Sequence, residues 1–179
     1  MNFKNKHTRK LMKKLKHIAV VLVTVTLFQG CGAYSFTGTN ISPETKTFQV
    51  NFFQNQSPRV FPGADQTFTN QLQDLILNQT NLSLSTSGGD IIYEGEIVQD
   101  YVSPNTATSN ITAAQNRLTI AINMRFYDTK DPTQDLEQRF SFFFDYPASS
   151  SENTIRDQAL DIIFERITQD MFNATLARW

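Results

Sequence analysis

The stretch Asn116-Arg117-Leu118-Thr119-Ile120-Ala121-Ile122-Asn123-Met124-Arg125-Phe126 decides the fold. Leu118, Ile120, Ile122, Met124 and Phe126 recur at every second position, and Arg117, Thr119, Asn123 and Arg125 fill the positions between. A period of two places the first set on one face of a β-strand and the second on the other. The strand is therefore half-buried, and its sheet is covered on one side only.

The same pattern continues outward on both sides. After the turn signal Lys130-Asp131-Pro132, Leu136–Tyr146 carries Phe140, Phe142 and Phe144 on one face. Upstream, beyond a polar loop at 103–115, Ile91–Val102 alternates. Ile91, Tyr93, Ile97 and Tyr101 are expected to point inward, and Glu94, Glu96 and Asp100 outward. Thr47–Phe53 reads the same way with Phe48, Val50 and Phe52. Leu82 and Leu84 suggest a short strand that ends in a hairpin-type turn at Ser87-Gly88-Gly89-Asp90.

Two segments change period. Residues 65–79 place Phe68, Leu72, Leu75 and Ile76 at helical spacing, with Asp65 as expected N-cap. Between the first strand and this helix, Ser57 to Gly63 reads as a Pro/Gly loop. A long C-terminal helix starts near Ser151 or Asn153 and runs to about Arg178. Ile155, Ile162, Ile163, Ile167, Met171 and Ala174 form its expected stripe. The order is β-α-β-β-β-β-α. One-faced strands and one-striped helices pack economically as an α+β two-layer sandwich. Two helices then cover one face of a mainly antiparallel sheet of four to five strands.

The N-terminus follows other rules. Residues 1–30 hold seven basic residues and no acidic one, and Ile18–Phe28 is an apolar run of eleven. This is the layout of a secretory signal peptide, too short to span a bilayer. Leu27-Phe28-Gln29-Gly30-Cys31 resembles a bacterial lipobox. That resemblance implies cleavage before Cys31, thioether diacylation of its sulfur, and acylation of its new amine by a fatty acid such as palmitate. The expected division is a signal peptide at 1–30, a lipidated tether at 31–46 and a domain at 47–179.

Removing the signal segment leaves nine Lys/Arg against seventeen Asp/Glu, a net charge of −8, which argues against nucleic acid. Both histidines, His7 and His17, leave with it, and Cys31 is the only cysteine. Ser-His and Cys-His chemistry and ordinary zinc sites are therefore excluded from the mature chain. No metal site and no cofactor beyond the Cys31 lipid is expected.

Arg117, Arg125 and Arg139 fall on the polar sheet face by alternation. They are the candidate ligand-binding residues, because guanidinium pairs bidentately with phosphate. The simpler reading is cross-strand ion pairing with the carboxylates of that face. Glu94 and Glu96 share a face, as an acid/base pair requires. However, a solvated sheet does little to raise a carboxyl pKa, so no catalytic residue and no enzyme activity is expected. Phe143 falls on the polar face and hints at a contact surface.

Cys31-Gly32-Ala33-Tyr34-Ser35-Phe36-Thr37-Gly38 with Ile41-Ser42-Pro43 resembles the start of the Bacteroidota branch of the LptE-like lipoproteins. The similarity runs on through Gln66-Thr67-Phe68-Thr69, Asp90–Ile97, Asn116–Ile120 and Asp131-Pro132. It ends at Phe172-Asn173 and Trp179. The resemblance implies two helices on a sheet, held at the periplasmic side of the outer membrane by the Cys31 lipid. It further implies that the domain plugs and helps assemble an LptD-type β-barrel for lipopolysaccharide transport to the cell surface. The alternatives are a periplasm-facing ligand- or protein-binding lipoprotein without a barrel, and a carboxylate-dependent hydrolase.

Overall fold

The computed structural model describes residues 41–59, 61–105 and 114–177. The signal segment 1–30, Cys31, most of the tether, the tip of the 103–115 loop and Trp179 lie outside the described residues. The elements are β1 (Thr47–Val50), β2 (Gln54–Asn55), α1 (Ala64–Gln79), β3 (Ser83–Leu84), β4 (Ile91–Asn105), β5 (Gln115–Asp128), β6 (Leu136–Pro147) and α2 (Glu152–Thr175). A single 3₁₀ turn, Pro132–Gln134, joins β5 to β6. The expected two-layer α+β sandwich is present, and both helices pack on one face of a six-stranded sheet.

The sheet is mixed rather than mainly antiparallel. Its order is β3-β1-β4-β5-β6; β4, β5 and β6 pair antiparallel, while β1 pairs parallel with β3 and β4, and β2 pairs parallel with β4. The cause lies in the chain order: β1-α1-β3 is a crossover through a helix, the connection that parallel neighbours require. Hence Ser87-Gly88-Gly89-Asp90 is not a hairpin turn. β3 and β4 flank β1, and Leu84 and Ile91 are both in register with Phe48. The connecting loop must cross β1, and Gly89 sits so close that a Cβ there would lie 2.8 Å from the Gln49 backbone nitrogen. Gly88 supplies the left-handed turn at φ 68°.

Two strands slip phase. β1 ends at Val50, and over the break Phe53 turns inward, fully buried, while Phe52 is 48 % exposed. The Phe53 N–H is taken up by Thr69 Oγ1 at 3.2 Å, so the break leaves no orphaned donor there. In β4, Ile97 pairs with Ile122 but Gln99 pairs with Ala121, leaving Val98 as an extra residue. A bulge of this kind reverses every later side chain. Tyr101 therefore faces out, 43 % exposed, and Asp100 faces in, 3 % exposed, the reverse of simple alternation.

Other boundaries moved less. Gly63, at φ 86°, and not Asp65, occupies the α1 N-cap position. Ser151 holds that place on α2, whose buried stripe runs through Ala159, Leu160, Ile163, Phe164, Ile167 and Met171. Ile162 lies about 100° from Ile163 on the helical wheel and stays 38 % exposed. The 103–115 loop is shorter than expected, because pairing extends to Asn105 and Gln115. The layers are joined by edge-to-face aromatic contacts: Phe53 to Phe68 at 5.1 Å, then Phe68 to Phe164 at 5.2 Å.

Candidate functional site

The uncovered sheet face is the candidate site, and its geometry follows from the cross-strand register. Glu94 on β4 lies opposite Arg125 on β5, and Arg117 on β5 lies opposite Asp145 on β6. Side chains directly opposite in an antiparallel pair stand close enough to bond. Arg125 accordingly forks between two carboxylates, with Nε 3.1 Å from Glu94 and Nη2 2.9 Å from Glu96. Asn51 Nδ2 donates to Glu94 at 3.2 Å. Arg117 grips Asp145 bidentately at 2.7 and 2.8 Å, and Asn105 donates to the same carboxylate.

These contacts favour the charged forms of Glu96, Asp145, Arg117 and Arg125. The Arg125 hydrogen bond holds Glu96 below its ordinary carboxylate range against some desolvation, and Arg117 does the same for Asp145. Both guanidinium groups are pushed above their ordinary value by those carboxylates. A general acid needs a raised pKa. Glu96 is shifted the other way.

All three expected arginines share this face, but their situations differ. Arg117 and Arg125 are half-buried and paired. Arg139 is exposed and donates to the side-chain amide of Gln99. Sequence reasoning placed Phe143 on this face without its role. The Arg117 guanidinium stacks 3.6 Å over the Phe143 ring, and Phe143 is 40 % exposed. Tyr101, brought out by the bulge, lies opposite Thr119, which in turn lies opposite Phe143. Where β1 gives way to β2, an open notch of about 220 Å³ forms, lined by Asn51, Phe52, Gln54, Gln56, Glu94 and Arg125.

A second charged cluster lies on the covered side. Arg156 on α2 reaches Asp100 and Glu152, its guanidinium lies 4.5 Å from the Phe61 ring, and Arg59 also pairs with Glu152. Burial pushes the Asp100 carboxyl up while Arg156 pulls it down. This cluster ties β4 to the start of α2; Asp100 and Arg156 are buried, while Arg59 and Glu152 reach solvent. Among the described residues no group of three His, Cys, Asp or Glu is arranged to hold a metal, and no helix is long and apolar enough to cross a membrane.

The family model for LptE, lipopolysaccharide-assembly, matches residues 45–175. Among curated proteins none matches the chain by sequence. Several solved structures resemble the chain at low identity. A hypothetical protein, CT253, from Chlamydia trachomatis is 8 % identical with a TM-score of 0.50, over 75 % of this chain and 99 % of that one. A minor lipoprotein from Acinetobacter baumannii is 13 % identical with a TM-score of 0.44, over 71 % and 89 %. Protein XCC0632 from Xanthomonas campestris is 12 % identical with a TM-score of 0.45, over 74 % and 88 %.

Proposed function

The chain belongs to the LptE lipopolysaccharide-assembly family, and from that premise we propose that it is an outer-membrane lipoprotein that plugs an LptD-type β-barrel. It helps that barrel assemble and carry lipopolysaccharide to the cell surface. The lipid on Cys31 holds the domain at the periplasmic leaflet; each buried CH₂ contributes about 0.8 kcal/mol, and two or three chains make the anchor permanent.

One observation carries this reading: the uncovered sheet face is polar, yet its charges are largely neutralised within it. Arg117 is matched by Asp145 and Arg125 by Glu94 and Glu96. A barrel lumen is polar. A plug must lose water there without leaving charges unpaired, which is costly. Pairs already made within the face reduce that cost. The hydrophobic core lies under the two helices on the other side of the sheet, so the polar face remains free for the lumen wall.

The reading is non-catalytic, because Glu94 and Glu96 are both engaged by Arg125. Lipopolysaccharide phosphates would meet Arg139 first, since its partner is a neutral amide. The notch beside Phe52 favours a second reading, a lipoprotein that captures a ligand without a barrel.

The test is an affinity pull-down of the tagged protein from detergent-solubilised outer membranes, read by mass spectrometry. Stoichiometric recovery of a large β-barrel is expected. Recovery of the lipoprotein alone, where other membrane complexes survive, would replace the plug with the second reading.

A further inference from the structure

The last strand of the sheet offers an unguarded edge. β6 is twelve residues long and, among the described residues, pairs only with β5. Ala148 N–H donates to the Ala114 carbonyl at 3.0 Å, and this sets the phase of the ladder. In an antiparallel pair, alternate residues exchange both hydrogen bonds. The even-numbered residues of β6 therefore bond to β5. Glu137, Arg139, Ser141, Phe143 and Asp145 turn their backbone N–H and C=O groups to the open side.

Edge strands are normally blunted by lysine, proline or a bulge. β6 has no lysine, runs in unbroken register from Leu136 to Pro147, and meets proline only at its last position. On its covered face, Phe142 and Phe144 remain only half-buried, although both pack against the core.

We propose that this edge pairs with the same edge of a second copy of the chain, antiparallel, about a two-fold axis at Phe142. In that register Arg139 stands opposite Asp145 of the second copy, and symmetry makes the contact twice. Ser141 stands opposite Phe143. On the covered face Phe140 meets Phe144 and Phe142 meets its own symmetry mate, a row of cross-strand aromatic pairs. Neighbouring registers lose this match. Centred on Ser141, the pairing sets Glu137 against Asp145, like against like. Centred on Phe143, it sets Arg139 against Pro147.

On the covered side the Arg166 guanidinium lies 5.7 Å from the Phe142 ring, and Asp170 neutralises it at 3.1 Å. Arg139, whose present partner is an amide, gains a share of the Asp145 carboxylate that Arg117 also holds in each copy. The pairing goes beyond the barrel reading and belongs to the lipoprotein before any barrel engages it, when the open edge would otherwise invite aggregation.

The test uses the full chain in isolated membranes, with Phe142→Cys and mild oxidation. At the axis the two Cα atoms lie about 4.5 Å apart, the separation of a non-hydrogen-bonded pair, and within disulfide reach. Gln138→Cys is the control. Its two copies lie about 27 Å apart at roughly 3.4 Å per residue.

A disulfide-linked dimer from Phe142→Cys alone is expected. A monomer from both variants, or equal dimer from both, overturns the proposal. Sedimentation velocity of the lipoprotein in detergent gives a measurement independent of the new cysteine. The unaltered chain should form a concentration-dependent dimer, and Arg139→Glu should lose it. A monomeric unaltered chain also overturns the pairing. The barrel pull-down is read separately, so either idea can fail alone.

Discussion

Arg156 on α2 and Asp100 on β4 form a buried ion pair at 2 % and 3 % exposure, and a single extra residue in the strand brings them together. Without the bulge at Val98, Asp100 would face solvent and Tyr101 would enter the core. The pair couples strand phase to helix position: the helix end is held where the bulge delivers a carboxylate. Asp100 Oδ1 and Arg156 Nε find no further hydrogen-bond partner. The pair therefore specifies an arrangement more than it adds stability.

Asp100→Ala should lower stability by about 1–3 kcal/mol, because it leaves the buried Arg156 guanidinium with Glu152 as its remaining carboxylate. Urea unfolding followed by circular dichroism measures this. Asp100→Leu combined with Arg156→Leu should recover most of the loss, since desolvation of both charges disappears. A double variant as unstable as the single one would mean that Arg156 acts through its contacts with Glu152 and Phe61.

Sequence alone makes the β5 and β6 alternations, both helical stripes and the two-layer plan legible, because those patterns run unbroken over many residues. It misleads where one residue shifts the phase. Val98 is an ordinary strand residue and nothing marks it as extra, so Asp100 and Tyr101 exchange faces. Phe52 and Phe53 are chemically identical, and only the break after Val50 decides which is buried. The parallel pairing was readable in principle, since a helix separates β1 from β3. Arg117, Arg125 and Arg139 were placed on the right face, but their partners depend on register, which alternation alone does not supply.

Gly95→Ala should destabilise the domain by about 1–3 kcal/mol through overpacking. A Cβ at this central-strand position would overlap the Asn123 carbonyl oxygen and lie 2.6 Å from the Phe53 ring. Neither can retreat easily, because β5 backbone and core lie behind them. Thermal unfolding gives the readout, and an unchanged midpoint would mean that the two strands can separate there.

Acid should weaken the fold. Asp90 accepts from Lys46 N–H at 2.9 Å and from the Thr47 N–H and hydroxyl at 3.0 Å, and pairs with Lys130 at 3.1 Å. Its carboxyl is held well below the ordinary range, and Glu96 and Asp145 are also lowered. Lowered folded values mean that the unfolded chain takes up protons first as pH falls. Their contribution is present above about pH 4, the unfolded carboxylate range, and is lost below it. Asp100, pushed up by burial, has the opposite sign. Asp90→Asn should make the fall in urea midpoint between pH 7 and pH 3 shallower. Identical slopes in both proteins would assign the acid response to other groups.

Cys31→Ser should abolish fatty-acid labelling and leave an uncleaved or soluble protein, because no other thiol can carry the lipid. Metabolic labelling with a palmitate analogue and membrane fractionation read both effects. A variant that still takes up label and sediments with membranes would place the anchor elsewhere.

Lipopolysaccharide binding should separate the three arginines by what each must give up. Arg139 is exposed and tied to an amide, so Arg139→Ala should weaken binding while leaving the unfolding free energy within about 0.5 kcal/mol, as surface changes usually do. Arg117 must release Asp145 and its stack on Phe143 before it can meet a phosphate. Arg117→Ala should therefore cost stability and change binding less. Arg125, forked between Glu94 and Glu96, should contribute least to binding. Titration of purified lipopolysaccharide against each variant, paired with its unfolding curve, ranks them. Equal losses at all three positions would mean that the ion pairs open on contact with the ligand, and that the face switches from neutralised to basic as it binds.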